Sequence, residues 1–191
     1  MTVMTAHQAT MPSGRPFTVA DLDGMPDDGN RYELIDGMLL VSPAPSWGHQ
    51  EMAGALFVLL RALCPRDLRV LMAPFAVQLA MDSEVQPDVL VARYTDLTYK
   101  NLPVPPLLAV EAASPSTALH DRNTKKAFYE RVGVTSYWLL DPTGDGALTA
   151  FELTRTGYRE MAHVVGDASF EARAPFPVRI VPARLLDGLR P

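Results

Sequence analysis

The stretch Pro105-Pro106-Leu107-Leu108-Ala109-Val110-Glu111-Ala112-Ala113-Ser114-Pro115-Ser116-Thr117 sets the tightest limit on how this chain can fold. An unbroken apolar run bounded by prolines predicts a central strand buried on both faces. Such a strand carries a glutamate only at a cost, because desolvating an unpaired carboxylate is unfavourable by several kcal/mol. Glu111 therefore needs a cationic partner, and the rest of the chain can be read by looking for one.

With 191 residues, 48% of them hydrophobic, the chain suffices for one well-cored domain and is short for two. Residues 1–15 mix small, polar and Met residues without a period and predict a loose leader, with a single domain over 16–191. A net charge of −5 lacks the basic surplus usual in nucleic-acid binders, although a local basic patch can sit on an acidic protein. One cysteine, Cys64, excludes an intramolecular disulfide and a cysteine-based zinc cluster, and reads as inert packing. No stretch approaches 18 apolar residues and no signal-peptide core precedes residue 16, so a soluble cytoplasmic protein without a membrane partner is expected.

Thr18 to Gly24 predicts a short helix capped by Thr18. Asp36-Gly37 between Arg31–Ile35 and Met38–Val41 is a hairpin signature. Ser46 caps a predicted helix from Trp47 to Leu63, whose Met52, Leu56, Leu59, Leu60 and Leu63 recur at helical spacing, with Pro65 as the stop. His49 falls on its buried face near the first turn. Leu68–Ala80 and Val85–Ala92 read as two strands, Arg93–Pro106 as a loop of unusual length. After the central strand the helical period returns from Ala118 to Val132, stopped by Gly133. Tyr137–Leu140 predicts a buried strand, Ala147–Thr154 and Tyr158–Val164 a hairpin, and Val178–Val181 a last strand before a short helix or turn over 183–189. The fold class is α/β: a mixed sheet flanked by helices in the order αβββαβ, with extra β-hairpins at both ends.

On a wheel at 100° per residue, Asp121, Phe128, Tyr129 and Val132 all fall within about 60° of Lys125. Lys125 thus lies in the apolar stripe that must face the sheet, whereas Lys126 is turned away and has Glu130 four residues on, the spacing of a solvated ion pair. The chain has only three lysines, so an inward one is not a by-product of abundance. Lys125 is the partner that Glu111 requires. Asp88 follows a proline at a strand start and completes a set of two carboxylates and a cation. Mg²⁺, or Mn²⁺, suits such a set, because it takes one or two carboxylates and keeps several waters.

Each residue also has a plainer reading. Glu111 can be a structural carboxylate paired with Lys125 or Arg122, and Lys125 can extend past the sheet edge to water. His49 reads as a satisfied core or capping histidine more readily than as a base. Glu33 can pair with Arg31 or reach the site from outside the core. Tyr129 reads as core with its hydroxyl toward the cleft, and Asp121 as a support for Lys125 at i,i+4. Ser114, Ser116, His120 and Asp121 are too close together for a hydrolase triad, and no nucleophile elbow, Walker A or H-E-x-x-H motif occurs. Arg61, Arg66 and Arg69, or Arg122, Lys126 and Arg131, can contact phosphates or simply face solvent.

Pro87-Asp88, then Glu111 on an apolar strand, then an inward lysine resembles the PD-(D/E)XK nuclease superfamily. More narrowly, Tyr32-Glu33-Leu34-Ile35-Asp36-Gly37, His49-Gln50, Pro87 to Val91, Glu111 to Thr117, Asp121 to Tyr129, Gly133-Val134 and Tyr137 to Pro142 resemble the Uma family of restriction endonucleases. The resemblance spans roughly residues 31–142. It implies a restriction-endonuclease-like core and metal-dependent cleavage of double-stranded DNA. Asp88, Glu111 and the Ala112 carbonyl would hold the metal, Lys125 would position the water, and a homodimer would cut both strands. The superfamily's lysine stands two residues after the glutamate, where this chain has Ala113; Lys125 on the following helix takes its place. A nuclease-like module that binds nucleic acid or a protein without cutting is the alternative.

Overall fold

The protein is seen in a computed structural model that describes residues 14–113 and 121–189, without the side chains of residues 121–122 and 188–189. Two sheets carry the fold. Along the larger the strands lie in the order Gly157–Val165, Ala147–Thr154, Ser136–Asp141, Leu108–Ala112, Val89–Arg93 and Leu68–Met72, and along the smaller Met38–Ser42, Arg31–Ile35, Ser83–Val85, Ala76–Ala80 and Asn101–Leu102. The strands of the larger sheet are β3 (Leu68–Met72), β6 (Val89–Arg93), β8 (Leu108–Ala112), β9 (Ser136–Asp141), β10 (Ala147–Thr154) and β11 (Gly157–Val165). Only β8 and β9 run parallel in it, joined by a crossover that includes a π-helical turn (Asp121–Lys125) and helix α3 (Lys126–Val132). The smaller sheet holds β1 (Arg31–Ile35), β2 (Met38–Ser42), β4 (Ala76–Ala80), β5 (Ser83–Val85) and β7 (Asn101–Leu102). Helix α1 (Val19–Leu22) precedes them, with Thr18 N–H and Oγ1 both donating to Asp21.

Helix α2 (Trp47–Leu63) has the predicted bounds, and the Ser46 hydroxyl accepts the His49 amide at 3.3 Å. Its Met52, Ala53, Leu56 and Leu60 pack on one face of the larger sheet, against Val70, Val89, Val91, Val110 and Leu140. The strand pair β12 (Phe170–Ala172) and β13 (Val178–Ile180), with a 3₁₀ helix over Pro182–Leu189, closes that same core. The opposite face, bearing Leu90, Ala92, Ala109, Tyr137 and Phe151, is covered by Phe128 and Tyr129 of α3 and by Ile35, Val77, Val85 and Leu102 of the smaller sheet. Side-chain alternation along β8 thus sends Leu108, Val110 and Ala112 toward α2, and Ala109 and Glu111 toward α3. That is why one strand can be both a core strand and the carrier of a buried carboxylate that points to the other face.

Several expectations need correction. Leu68–Ala80 is not one strand: it breaks between Met72 and Ala76, and the two halves belong to different sheets. Val85–Ala92 breaks likewise, with β5 in the smaller sheet and β6 in the larger. A proline sits in each break, Pro74 and Pro87, and a residue without an N–H interrupts the ladder where the chain must change sheets. Arg93–Pro106 is not a plain loop either. It contains a 3₁₀ turn (Tyr94–Asp96) and β7, which pairs parallel with β4. The pair β12–β13 includes a strand that the sequence pattern did not suggest. The beginning of the predicted helix over 118–132 lies outside the described residues.

The Asp36-Gly37 turn is held from outside the hairpin. Gly37 has φ +74°, and a Cβ there would stand 2.5 Å from Pro16 Cβ; its carbonyl accepts the Phe17 amide at 2.9 Å. Gly37→Ala should therefore lower stability by about 1–3 kcal/mol through combined backbone strain and overlap. Urea unfolding checks this, and an unchanged midpoint would mean that residues 16–17 do not hold the turn.

Candidate active site

Asp88 sits where the chain crosses from the smaller sheet back to the larger, and strand β1 fastens that crossing. Arg31 Nη1 donates to the Gln86 carbonyl at 3.0 Å and to Asp88 Oδ1 at 2.9 Å, while the Gln86 amide donates to Glu33 Oε1 at 2.7 Å. The second Asp88 oxygen accepts the Ala112 amide at 2.8 Å and meets His49 Nε2 at 3.1 Å. Asp88 is 4% exposed. Burial by itself would raise its pKa, but the hydrogen bond and charge of His49, the charge of Arg31 and the Ala112 amide together hold it down at about 2.

Glu111 is next to Asp88 across the sheet, since Val89 pairs with Val110 one residue away on the antiparallel β6 and β8. Lys125 Nζ lies 3.1 and 3.2 Å from the two Glu111 oxygens. The same ammonium stands 2.9 Å from Glu33 Oε2, close enough to pair but not aligned as a hydrogen bond. The Tyr129 hydroxyl donates to Glu111 Oε1 at 2.8 Å. Burial, reinforced by Glu111 and Glu33, pushes the Tyr129 phenol well above its ordinary value, so it remains a donor. Burial likewise opposes the Arg31 charge, and Asp88, Glu33 and Glu111 more than offset it.

The structure thus brings together Asp88, Glu111, Lys125, Glu33, His49 and Tyr129. Glu33 pairs with Lys125 rather than Arg31, and Lys125 is buried against Glu111 rather than extended to water. Ala112 contributes its amide to Asp88. The Asp121 side chain lies outside the described residues. Arg31 is the member that sequence reasoning missed. The signal was available: Arg31 and Glu33 are two apart on one strand and so share a face, and whatever Glu33 approaches Arg31 approaches too.

Arg31, His49 and Asp88 line a cleft of about 590 Å³, together with Asn30, Tyr32 and Gln86, while Glu33, Glu111, Lys125 and Tyr129 lie behind them in the core. Among the described residues, no group of three or more His, Cys, Asp and Glu side chains converges as a metal cage. The donor chemistry nonetheless suits a hard divalent ion. Asp88 and Glu111 offer only oxygens, and three buried carboxylates stand near two permanent cations, Arg31 and Lys125. Mg²⁺ needs only one or two carboxylates beside its own waters.

The basic clusters are less free than their sequence suggests. Arg69 lies 4.3 Å over the Tyr94 ring and bonds the Arg66 and Leu68 carbonyls. Arg131 pairs with Asp36 at 2.6 Å. The Lys126 ammonium sits 3.8 Å over the Phe151 ring, while Glu130 accepts the Tyr158 amide at 2.8 Å, so the expected Lys126–Glu130 pair is replaced by two contacts across the fold. No helix among the described residues is long and apolar enough to cross a membrane.

No curated protein matches the chain. Among solved structures, it is similar to "a putative nuclease belonging to DUF820" from Anabaena variabilis ATCC 29413, with a TM-score of 0.66 and 15% identity, over 83% of this chain and 90% of that one. At that identity the likeness speaks for the fold, a restriction-endonuclease-like α/β core. The Uma2 family, described as "Putative restriction endonuclease", matches residues 19–183, and with most of its length covered the chain belongs to that family.

Proposed function

We propose that the protein is a divalent-metal-dependent endonuclease that hydrolyses phosphodiesters of double-stranded DNA. The observation that carries this reading is the juxtaposition of Asp88 and Glu111 on neighbouring strands with the Lys125 ammonium on Glu111. Asp88, Glu111 and the Ala112 carbonyl would hold Mg²⁺ or Mn²⁺. When bound, the ion supplies Lewis-acid polarisation of the phosphodiester and acidifies a water. Lys125 orients the attacking water and offsets charge that develops on the phosphate. Glu33 and Tyr129 fix Lys125 and Glu111 in place, and His49 and Arg31 fix Asp88. A homodimer acting in the cytoplasm would place one site on each strand.

A second reading is favoured by the sharing of Lys125 between Glu33 and Glu111, as in a closed ion-pair network. On that reading the chain binds nucleic acid or a protein without cutting. Nicking of supercoiled plasmid by the purified protein with Mg²⁺, Mn²⁺ or EDTA separates the two. Nicking that needs metal and falls at least about 100-fold in Glu111→Gln is expected. Equal nicking in EDTA, or full activity of Glu111→Gln in a folded variant, would rule out the proposed chemistry.

A further inference from the structure

Arg31 has hydrogen-bonding capacity that its known contacts do not use. Both of its bonds, to Gln86 and Asp88, leave from Nη1. A guanidinium carries five N–H donors in a planar fork, and none of the bonds among the described residues uses the Nε and Nη2 side. The side chain is 22% exposed and lines the cleft. Its plane is also fixed. Nη1 is held at two points, and the Asp88 carboxylate that holds it is itself pinned by His49 and the Ala112 amide. A buried arginine whose one job is to neutralise a carboxylate usually spends its parallel N–H pair on that carboxylate. Here the bidentate edge is kept back.

We infer that the Nε–Nη2 edge of Arg31 is a phosphate fork, which takes two oxygens of a phosphodiester from a nucleic-acid strand lying in the cleft. The match is geometric: the parallel donors of a guanidinium fit two oxygens of one phosphate, which a lysine ammonium cannot do. The rest of the cleft supports a phosphate that arrives with a cation. Asp23, Asp27 and Glu84 also line it, so an unaccompanied anion meets several carboxylates and few positive groups. Arg31 touches Asp88 with Nη1, so phosphate on the other edge is coupled to whatever Asp88 holds, and metal and DNA should each strengthen binding of the other by the same factor. This deepens the nuclease reading and rests on it for the identity of the strand, but the fork itself requires only a phosphodiester.

The test measures binding rather than cleavage. A fluorescein-labelled 20-base-pair duplex is titrated with the full chain and followed by anisotropy, with Ca²⁺ and with EDTA, across a series of salt concentrations. Arg31→Lys keeps the charge beside Asp88 and loses the fork; Arg31→Gln loses both. Loss of one charge-assisted bidentate contact should weaken duplex binding about 10- to 100-fold in both variants. In Arg31→Gln the slope of log K against log salt should also become shallower by about one, a change that a merely structural arginine would not produce. Thermal unfolding and circular dichroism establish that each variant is folded, and Arg31→Lys keeps the test available should Arg31→Gln fail to fold.

Equal affinity of wild type, Arg31→Lys and Arg31→Gln overturns the fork, as does a wild type that does not bind duplex at low salt with Ca²⁺. Plasmid nicking distinguishes this failure from that of the nuclease reading. Weakened binding in both variants with no nicking by wild type leaves the fork standing without the nuclease. Metal-dependent nicking with the same KM in Arg31→Lys leaves the nuclease standing without the fork.

Discussion

Lys125→Met should lower the unfolding free energy by about 3–5 kcal/mol, the usual cost of removing one partner from a buried charge pair. Glu33 and Glu111 are 1% and 2% exposed, and the substitution takes from both the ammonium that now lies within 2.9–3.1 Å. For a chain of this length that corresponds to a fall in Tm of about 6–20 °C. Methionine nearly conserves the volume of the stem, so the loss reports charge rather than a cavity. The double variant Lys125→Met with Glu33→Gln should recover part of the stability, because one of the stranded carboxylates is then gone; contacting residues are expected to be non-additive in this way. Nuclease activity, if it needs the ammonium, should be lost in both variants. Stability separates from chemistry in that comparison. A Lys125→Met protein as stable as wild type would show that the Glu33–Lys125–Glu111 contacts contribute no net stabilisation.

Asp88→Asn should have two effects that appear under different conditions. In metal-free buffer at pH 7 it should cost about 2–3 kcal/mol, the linkage value for a carboxyl held near 2 instead of its ordinary 3.8 at about 1.4 kcal/mol per unit. The sign follows from the depressed pKa. The stabilisation is fully present above the unfolded value and is lost as pH falls through the folded one. Wild type and variant should therefore differ most above about pH 4–5 and converge toward pH 2. Chemical denaturation of both proteins at pH 7, 4 and 3 checks this, and a gap that widens on acidification would contradict it. With Mg²⁺ or Mn²⁺ added, wild type should gain about 2.7 kcal/mol at a hundred times the dissociation constant. Asp88→Asn should gain much less. A metal-induced shift that is equal in both proteins would remove Asp88 from the proposed metal site.

Much of the site could be read in one dimension because the residues concerned are governed by short-range periodicity. Helical spacing alone turns Lys125 inward, since Phe128, Tyr129 and Val132 leave it no other face. The apolar run before Glu111 demands a buried strand, and the demand for a counter-charge follows from the cost of desolvation. The hairpin at Asp36-Gly37 and the helix from Trp47 to Leu63 follow equally from local rules. Strand continuity was harder to judge. Leu68–Ala80 and Val85–Ala92 look like single apolar runs, and only Pro74 and Pro87 mark where each leaves one sheet for the other.

Local rules suffice for a mixed α/β core with a buried carboxylate strand, an inward lysine on the helix after it and an aspartate at a neighbouring strand end, because burial, helical period and turn chemistry act over a few residues. Which charges meet depends on how distant segments pack. Arg31 reaches Asp88 over 57 positions of sequence, and Gln86 joins Glu33 over 53. Those contacts depend on the smaller sheet folding over the larger one, so that β1 lies along the crossing at Gln86–Asp88. No local pattern specifies that placement, because an arginine and a glutamate two apart on a strand look the same whether they face water or a buried site.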